Sequence, residues 1–353
     1  MRQSYRASLG AVAVAIAVVS TASVSMRSQT TAPKPAAAPV APKAAPALPK
    51  PGPAPKTPWG EPDLQGTWFV MENVPFERSA ANANKPMLTD EEVAALDKAK
   101  SADLGRNMRS ENAARDVDGA YNAVFNSVLR TSKRTSMIID PPDGRIPPLA
   151  PEAQQRQGRG GGRGAGLGGG RGGAAQNDNP ETTAQNPRCL GVQMPFIASN
   201  SLFAQGTVMQ IVQSPKSMGI YMEDDHAGGG NRVIFMDGRP HSKSKSVLGD
   251  SRGHWEGNTL VVETTNFTQG FRGSSPDTYR MIEKFTRVDS NNLKREITFD
   301  DPKTWTKPWT ILIEMGKTSD NRHMIFDSAC HEGNYGLTGI LVGARREEAA
   351  AKK

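Results

Sequence analysis

The polar residues that could do chemistry crowd into one stretch. Glu223-Asp224-Asp225-His226, Arg232, Asp237-Gly238-Arg239-Pro240-His241 and Asp250-Ser251-Arg252-Gly253-His254-Trp255-Glu256 all fall within 34 residues of one another. His226 and His241 flank one predicted strand. With Glu223 or Asp224 they could bind a divalent metal, because imidazole nitrogen and carboxylate oxygen are fitting ligands for zinc and similar ions. The same groups could act as an acid–base pair, Asp237 or another carboxylate tuning an imidazole. Arg232, Arg239 and Trp255 are candidates for holding a ligand. The plain alternative is that Asp and His close turns here and that the arginines pair with nearby acids, as polar residues do at hairpin ends.

A second polar cluster, His331-Glu332-Gly333-Asn334-Tyr335, directly follows Cys330. Glu332 is a candidate acid and Asn334 a candidate ligand contact. The only other cysteine is Cys189. A separation of this size matches no metal-type spacing. In an oxidising compartment two lone cysteines pair, so a Cys189–Cys330 disulfide is expected. The rival reading, a catalytic thiol in Cys330-His331, meets a geometric objection: on a strand adjacent side chains face opposite ways.

The elements that must position these groups are mostly strands. Gly66-Thr67-Trp68-Phe69-Val70 opens one and Met137-Ile138-Ile139 is a short buried one. Further strands are expected at 207–214, 217–223, 231–236, 258–267, 278–288, 292–300, 309–315 and 323–330. Short turns such as Ser214-Pro215-Lys216, Glu256-Gly257-Asn258 and Asp289-Ser290-Asn291-Asn292 join several of them. Many short strands with tight turns predict a mainly β fold, an antiparallel up-and-down barrel or a sandwich. Closure of eight or more strands into a barrel would remove exposed edges. One or two helices precede the strands. Thr89 with Glu92 forms a capping box flanked by Leu88 and Val93, which starts a helix running to about Lys100. A second helix over 112–129 is expected from the spacing of Tyr121, Val124, Phe125 and Val128.

Around this domain lie segments of another kind. Residues 1–28 read as a secretory signal: Arg2 and Arg6, an apolar run from Leu9 to about Val19, then small residues. That run is short for a membrane span of ~30 Å, and no second apolar stretch reaches spanning length. A periplasmic or secreted location follows as an expectation. Residues 29–58, nearly all Ala, Pro, Lys and Thr, predict an extended linker. The domain covers 59–347. It is interrupted at 153–186 by a Gly/Arg-rich insertion expected to be disordered, and a flexible tail, 348–353, ends the chain.

The formal charge of +7 does not describe the domain. Residues 1–58 hold seven of the 43 Lys and Arg and none of the 36 Asp and Glu, which leaves 36 of each sign in the remainder. A nucleic-acid partner needs a basic face, and the neutral domain argues against one. No Gly-x-Ser-x-Gly elbow, His-Glu-x-x-His, P-loop or dinucleotide fingerprint is present. No specific cofactor is indicated, and the oligomeric state is left open.

Four motifs carry a resemblance. They are Pro58-Trp59-Gly60 with Asp63-Leu64-Gln65-Gly66-Thr67-Trp68; Ile139-Asp140-Pro141-Pro142-Asp143-Gly144-Arg145-Ile146-Pro147; Gly249-Asp250-Ser251-Arg252-Gly253-His254-Trp255-Glu256-Gly257 running on to Asn266-Phe267; and Cys330-His331-Glu332-Gly333-Asn334. The chain resembles a family of secreted bacterial proteins over nearly all of 58–347. That resemblance implies export and assigns no catalytic role. Gly66-Thr67-Trp68 is also similar to the opening strand of lipocalin-type (calycin) barrels, in which an Arg near the last strand packs on the Trp. Arg345 or Arg346 is expected to play that part. Function is therefore expected to be binding of a small organic or carbohydrate-like ligand in a barrel. The alternatives are a hydrolase or lyase using the His/carboxylate site, and a structural envelope protein.

Overall fold

The structure is a computed structural model. It describes residues 52–102, 130–159, 179–183, 186–189, 208–222, 230–317, Ile325 and 330–351. The expected helix at 112–129 lies outside these residues, as do the signal segment, most of the linker, and the strand at 323–330 apart from Ile325 and Cys330.

Twelve strands are described: β1 (Gly66–Val70), β2 (Glu72–Asn73), β3 (Arg130–Thr131), β4 (Ile138–Asp140), β5 (Val208–Gln213), β6 (Ser217–Met222), β7 (Gly230–Phe235), β8 (Asp250–Glu256), β9 (Thr259–Thr265), β10 (Arg280–Arg287), β11 (Asn292–Asp300) and β12 (Trp309–Gly316). Three helices accompany them: α1 (Asp90–Ala102), α2 (Pro151–Arg159) and α3 (Tyr335–Ala351). β1 and β5 to β12 pair in order, and β12 pairs back onto β1, so nine strands close into a barrel. The expectation of a barrel holds. Closure satisfies the edge hydrogen bonds that an open sheet would leave bare.

Every junction in the ring is antiparallel except β7–β8, where Ile234 and Phe235 run parallel to Ser251 and Arg252. An odd number of strands cannot close with every neighbour antiparallel, so one parallel junction is required. The chain meets it with a long crossover, residues 236–249, that returns outside the barrel. β8 is the strand that composition hides: Asp250-Ser251-Arg252-Gly253-His254-Trp255-Glu256 looks like a polar site rather than a strand. Its inward positions are Ser251, Gly253 and Trp255, of which only Trp255 is large and apolar. A Cβ at Gly253 would come within 2.5 Å of Met236 Sδ and 2.9 Å of Ile234 Cγ2, so any larger residue there would push these side chains aside.

On β10 and β11 the period-two alternation is clean, as half-buried strands demand. β10 turns Met281, Glu283, Phe285 and Arg287 inward, and β11 turns Leu293, Arg295, Ile297 and Phe299 inward. The inner face is packed with large side chains. Phe299 and Trp309 stack with centroids 4.0 Å apart, and Phe271 stacks on Phe299 at 5.0 Å. Methionines 209, 218 and 222 line the β5–β6 side. Thioethers of this kind adapt to irregular spaces.

Two of the motifs prove to be closures. The segment before β1 caps one barrel end. Leu64 is fully buried, and its carbonyl accepts from Trp68 Nε1 at 2.9 Å. Gln213 ties the same segment down: its Oε1 accepts from Leu64 N and its Nε2 donates to the Pro62 carbonyl. Arg287 donates to the carbonyls of Asp63, Asp289 and Ser290, and its guanidinium lies 4.8 Å over the Trp68 ring. Lys317, just past the last barrel strand, approaches the same ring at 4.9 Å. The cation on the Trp therefore comes from β10 and from Lys317. It does not come from Arg345 or Arg346, which lie exposed on α3, Arg345 paired with Glu348. The second motif wraps the buried Arg78, which donates to Thr135 Oγ1 and to the Pro142 carbonyl. Gly144, at φ +70°, is held there because a Cβ would strike Ser136 Oγ at 2.4 Å.

The capping box forms as expected: Thr89 N donates to Glu92 Oε2 at 2.8 Å, and Glu92 N donates to Thr89 Oγ1 at 3.3 Å. α2 occupies the start of the segment expected to be without packed structure. Pro151 suits a first helical position, and Ala153 is buried beneath it. Residues 160–178 lie outside the described residues.

Candidate functional site

The polar residues singled out in the sequence separate into two places, one inside the barrel and one on its outer wall. Inside, Arg232 of β7 and Arg295 of β11 converge on Glu283 of β10. The three side chains are 2%, 3% and 0% exposed, in that order. Arg295 grips one carboxylate oxygen with both Nε (2.9 Å) and Nη2 (2.7 Å). Arg232 reaches the other oxygen through Nη1 alone. Nη1 also approaches Thr264 Oγ1 at 3.5 Å, and Thr264 shares a hydrogen bond of 2.9 Å with Ser251.

Burial raises the Glu283 carboxyl, but the two guanidiniums outweigh it and hold the group below its ordinary value of 4.5. Burial lowers Arg295, with Glu283 opposing that effect and Arg232 adding to it. The cluster therefore holds two guanidiniums and one carboxylate away from water. Buried charges are costly unless paired and hydrogen-bonded. Nε and Nη2 of Arg232 and the hydroxyl of Tyr279 are buried and have no partner among the described residues. Burial, helped by the charges of Glu283 and Asp301, drives the Tyr279 phenol well above its ordinary value, so the hydroxyl stays a neutral donor.

The outer cluster sits on the crossover and on the outer faces of β8 to β11. His241 Nδ1 lies 3.0 Å from Asp250 Oδ2, and its Nε2 lies 3.4 Å from Glu263 Oε1. Asp250 also accepts from Ser242 N at 2.7 Å and from Arg252 Nη1 at 2.7 Å. Burial raises the Asp250 carboxyl, while the Ser242, Arg252 and His241 hydrogen bonds bring it below its ordinary value of 3.8. Glu263 continues the row through Arg280 to Asp300. Arg252 pins the crossover by donating to the Arg239 and Pro240 carbonyls. Gly249, at φ +71°, has no room for a Cβ beside Phe267 and Thr264.

The expected site residues that fall among the described ones lie apart from one another, save the neighbours Asp237 and Arg239. Arg232 lies inside the barrel. His241 lies outside it, between two carboxylates. Asp237 pairs with Arg239 two residues on, and that hydrogen bonding takes Asp237 down to about 2. The Arg239 guanidinium lies 4.1 Å over the Phe235 ring. Trp255 packs against the core from β8, and its Nε1 has no partner among the described residues. Glu332 is exposed. Asn334 Nδ2 donates to the Pro187 carbonyl at 2.8 Å and meets Cys189 Sγ at 3.2 Å. Asn334 thus braces the Cys189–Cys330 disulfide, which is formed. Glu223 and His226 lie outside the described residues. Among those described, no group of three or more His, Cys, Asp or Glu side chains is placed to hold a metal ion.

Glu283, Arg295 and Tyr279 do not stand out in the sequence. The available signal is alternation: each falls on the inward phase of an otherwise apolar strand face. A separate pocket of roughly 420 Å³ is lined by residues of β2, β3, α1 and the segments flanking them, including Leu88, Leu96 and Arg134. Comparison of the chain with protein-family models, with curated proteins and with solved structures finds no match.

Proposed function

We propose that this chain is an exported binding protein whose barrel holds a small organic ligand against the Arg232–Glu283–Arg295 cluster. The observation that carries the reading is the buried cluster itself. A closed barrel of this size can enclose one small ligand, and a binding site is typically apolar with a few convergent polar groups. Here an inner wall of Met, Ile, Leu and Val surrounds a compact polar group with hydrogen-bonding capacity left over. The formed disulfide fits an oxidising compartment, and no described helix is long and apolar enough to cross a membrane. Both agree with the export signal and with the membership suggested by the four motifs.

Binding of the neutral fluorescent probe N-phenyl-1-naphthylamine tests the reading. One-to-one binding that is lost when Met222→Trp fills the wall beside β7 is expected. A folded parent protein that binds no probe would sink it in favour of a structural role. N-terminal sequencing of the chain recovered from periplasm or medium should begin beyond residue 28, and an intact Met1 there would refute cleavage.

A second reading rests on His241. An imidazole between two carboxylates is the arrangement of an acid–base catalyst, which supports a hydrolase or lyase on the outer wall. Loss of a measured hydrolytic activity in His241→Ala, with Arg232→Met unaffected, would favour it over binding.

A further inference from the structure

We infer that the pocket lined by α1, β2 and β3 is a second binding site, one that takes a neutral amide with an apolar substituent. It does not depend on the binding reading above, because none of its wall residues belongs to the Arg232 cluster or to the nine barrel strands. Its volume of roughly 420 Å³ falls in the range of small-molecule sites. Leu88, Leu96 and Ala99 give the wall an apolar side. Three other wall residues each hold a buried polar atom with no partner among the described residues: Asn73 Oδ1, Thr131 Oγ1 and Arg134 Nε. Such atoms are few in folded proteins, and each calls for a partner. Their gathering on one pocket wall carries the inference. Asn73 and Thr131 face each other in the β2–β3 ladder, so two of the three atoms come from neighbouring side chains.

Other bonds hold this wall in place. Thr131 N donates to Asp97 Oδ1 of α1 at 2.9 Å, and Leu88 N donates to the Lys133 carbonyl at 2.7 Å. A preset frame of this kind suits a binding site. Arg134 commits Nη1 to the Leu312 carbonyl at 3.0 Å, and its Nη2 lies 3.4 Å from Glu314 Oε2. Burial lowers its pKa, and the charges of Glu314 and Glu72 oppose that effect. The guanidinium thus already faces two carboxylates, which an anionic guest would meet as well. A cationic guest would meet the guanidinium, and a neutral guest avoids both conflicts. The three atoms then set the pattern. Asn73 Oδ1 only accepts and needs an N–H or O–H, Arg134 Nε only donates and needs an oxygen, and Thr131 Oγ1 serves either way. An amide carries N–H and C=O on one rigid plane. An ester of the same shape lacks the N–H. The apolar substituent meets Leu88, Leu96 and Ala99; Leu96 is 45% exposed, so this side is reached from solvent.

NMR titration of the purified chain with N-butylbutanamide, butyl butanoate and octanoate tests this directly. The amide should bind about tenfold more tightly than the ester, the range expected when a buried acceptor gains its donor. It should also shift the Arg134 Nε–H signal. Octanoate should bind no more tightly than the ester. Asn73→Leu should bring the amide to the affinity of the ester, and Thr131→Val should weaken the amide about threefold. Ala99→Trp fills the pocket from an exposed helix position, so it serves should the Asn73 variant fail to fold. It should weaken the amide at least about tenfold and leave binding of N-phenyl-1-naphthylamine by the barrel unchanged. Equal binding of amide and ester would overturn the inference, as would octanoate binding most tightly or a folded Asn73→Leu that keeps the preference. An amide that displaces N-phenyl-1-naphthylamine and still binds Ala99→Trp would place the guest in the barrel and overturn it too. If none of the three probes binds, this inference falls and the barrel reading stands on its own test.

Discussion

The inner and outer clusters are built from the same kinds of side chain and differ in what surrounds them. Inside, Arg232, Glu283 and Arg295 are cut off from water. Outside, His241, Asp250, Glu263 and Arg280 form a chain of contacts that solvent reaches, with Glu263 39% and Arg280 45% exposed. Screening keeps exposed ion pairs to within about 1 kcal/mol. In a low-dielectric interior the same charges interact strongly, and an unmatched one is costly. Asp250 is the intermediate case, 15% exposed on its side chain and bonded to three neighbours. Type and spacing alone would rank the outer group as the site, because it holds the histidine. Environment moves the weight to the inner group.

The largest test of that contrast is Glu283→Gln. It strands two buried guanidiniums, and removing one partner from a buried ion pair costs about 3–5 kcal/mol. Urea unfolding should show a loss of that size. Replacing all three together, Arg232→Met with Glu283→Leu and Arg295→Met, should cost far less, because apolar replacement of a whole buried network is often near neutral. A triple variant as unstable as Glu283→Gln would mean that the cluster shapes the fold and is not a liability kept for a ligand.

Acid comes next. Glu283 is held below its ordinary 4.5 and Asp250 below its ordinary 3.8 in the folded protein. A carboxyl with a depressed folded value contributes stability that is present above its unfolded value. That stability is lost as pH falls through the folded one. The protein should therefore be stable near neutrality and lose stability progressively below about pH 4.5. The Glu283→Gln variant should lose the part of this slope due to Glu283 and keep the part due to Asp250 and the other paired carboxylates. An unchanged slope in that variant would show that the acid loss arises elsewhere.

Asp250→Asn should cost about 1–2 kcal/mol, because it weakens the bonds from Ser242, Arg252 and His241 without burying a charge. It should also loosen the 236–249 crossover, seen as faster amide exchange at Ser242. His254→Ala removes an exposed pairing with Glu256 and should stay within about 0.5 kcal/mol. If His254→Ala proved as costly as Asp250→Asn, the graded dependence on burial would break.

Much of the fold is legible in the order of residues. The strands β9 to β12 show in β-type residues with partial alternation and in the tight turns between them, the capping box at Thr89 names a helix start, and two cysteines in an export-type chain imply a bridge. β8 is not legible as a strand, because its inner positions are Ser251, Gly253 and Trp255 and its outer ones are all polar or charged. The candidate site is half legible. Arg232 stands out in its polar stretch, but its partners Glu283 and Arg295 pass for outward charges on strands, which is where charged residues in a sheet normally point. His241 is sound as chemistry, yet nothing in the order of residues says that the crossover carrying it runs outside the wall.

The amino-acid sequence by itself determined the periods: which residues alternate, where turns interrupt them, which cysteines can pair, and that the charge excess sits in residues 1–58. Those are local properties of composition and spacing along one chain. Only the tertiary structure decided that nine strands close with one parallel junction. It alone placed Glu283 between two arginines from strands far apart in sequence, and left one guanidinium edge without a partner among the described residues. Inside and outside become defined only when the sheet closes. The energy of a charge depends on which side it then occupies.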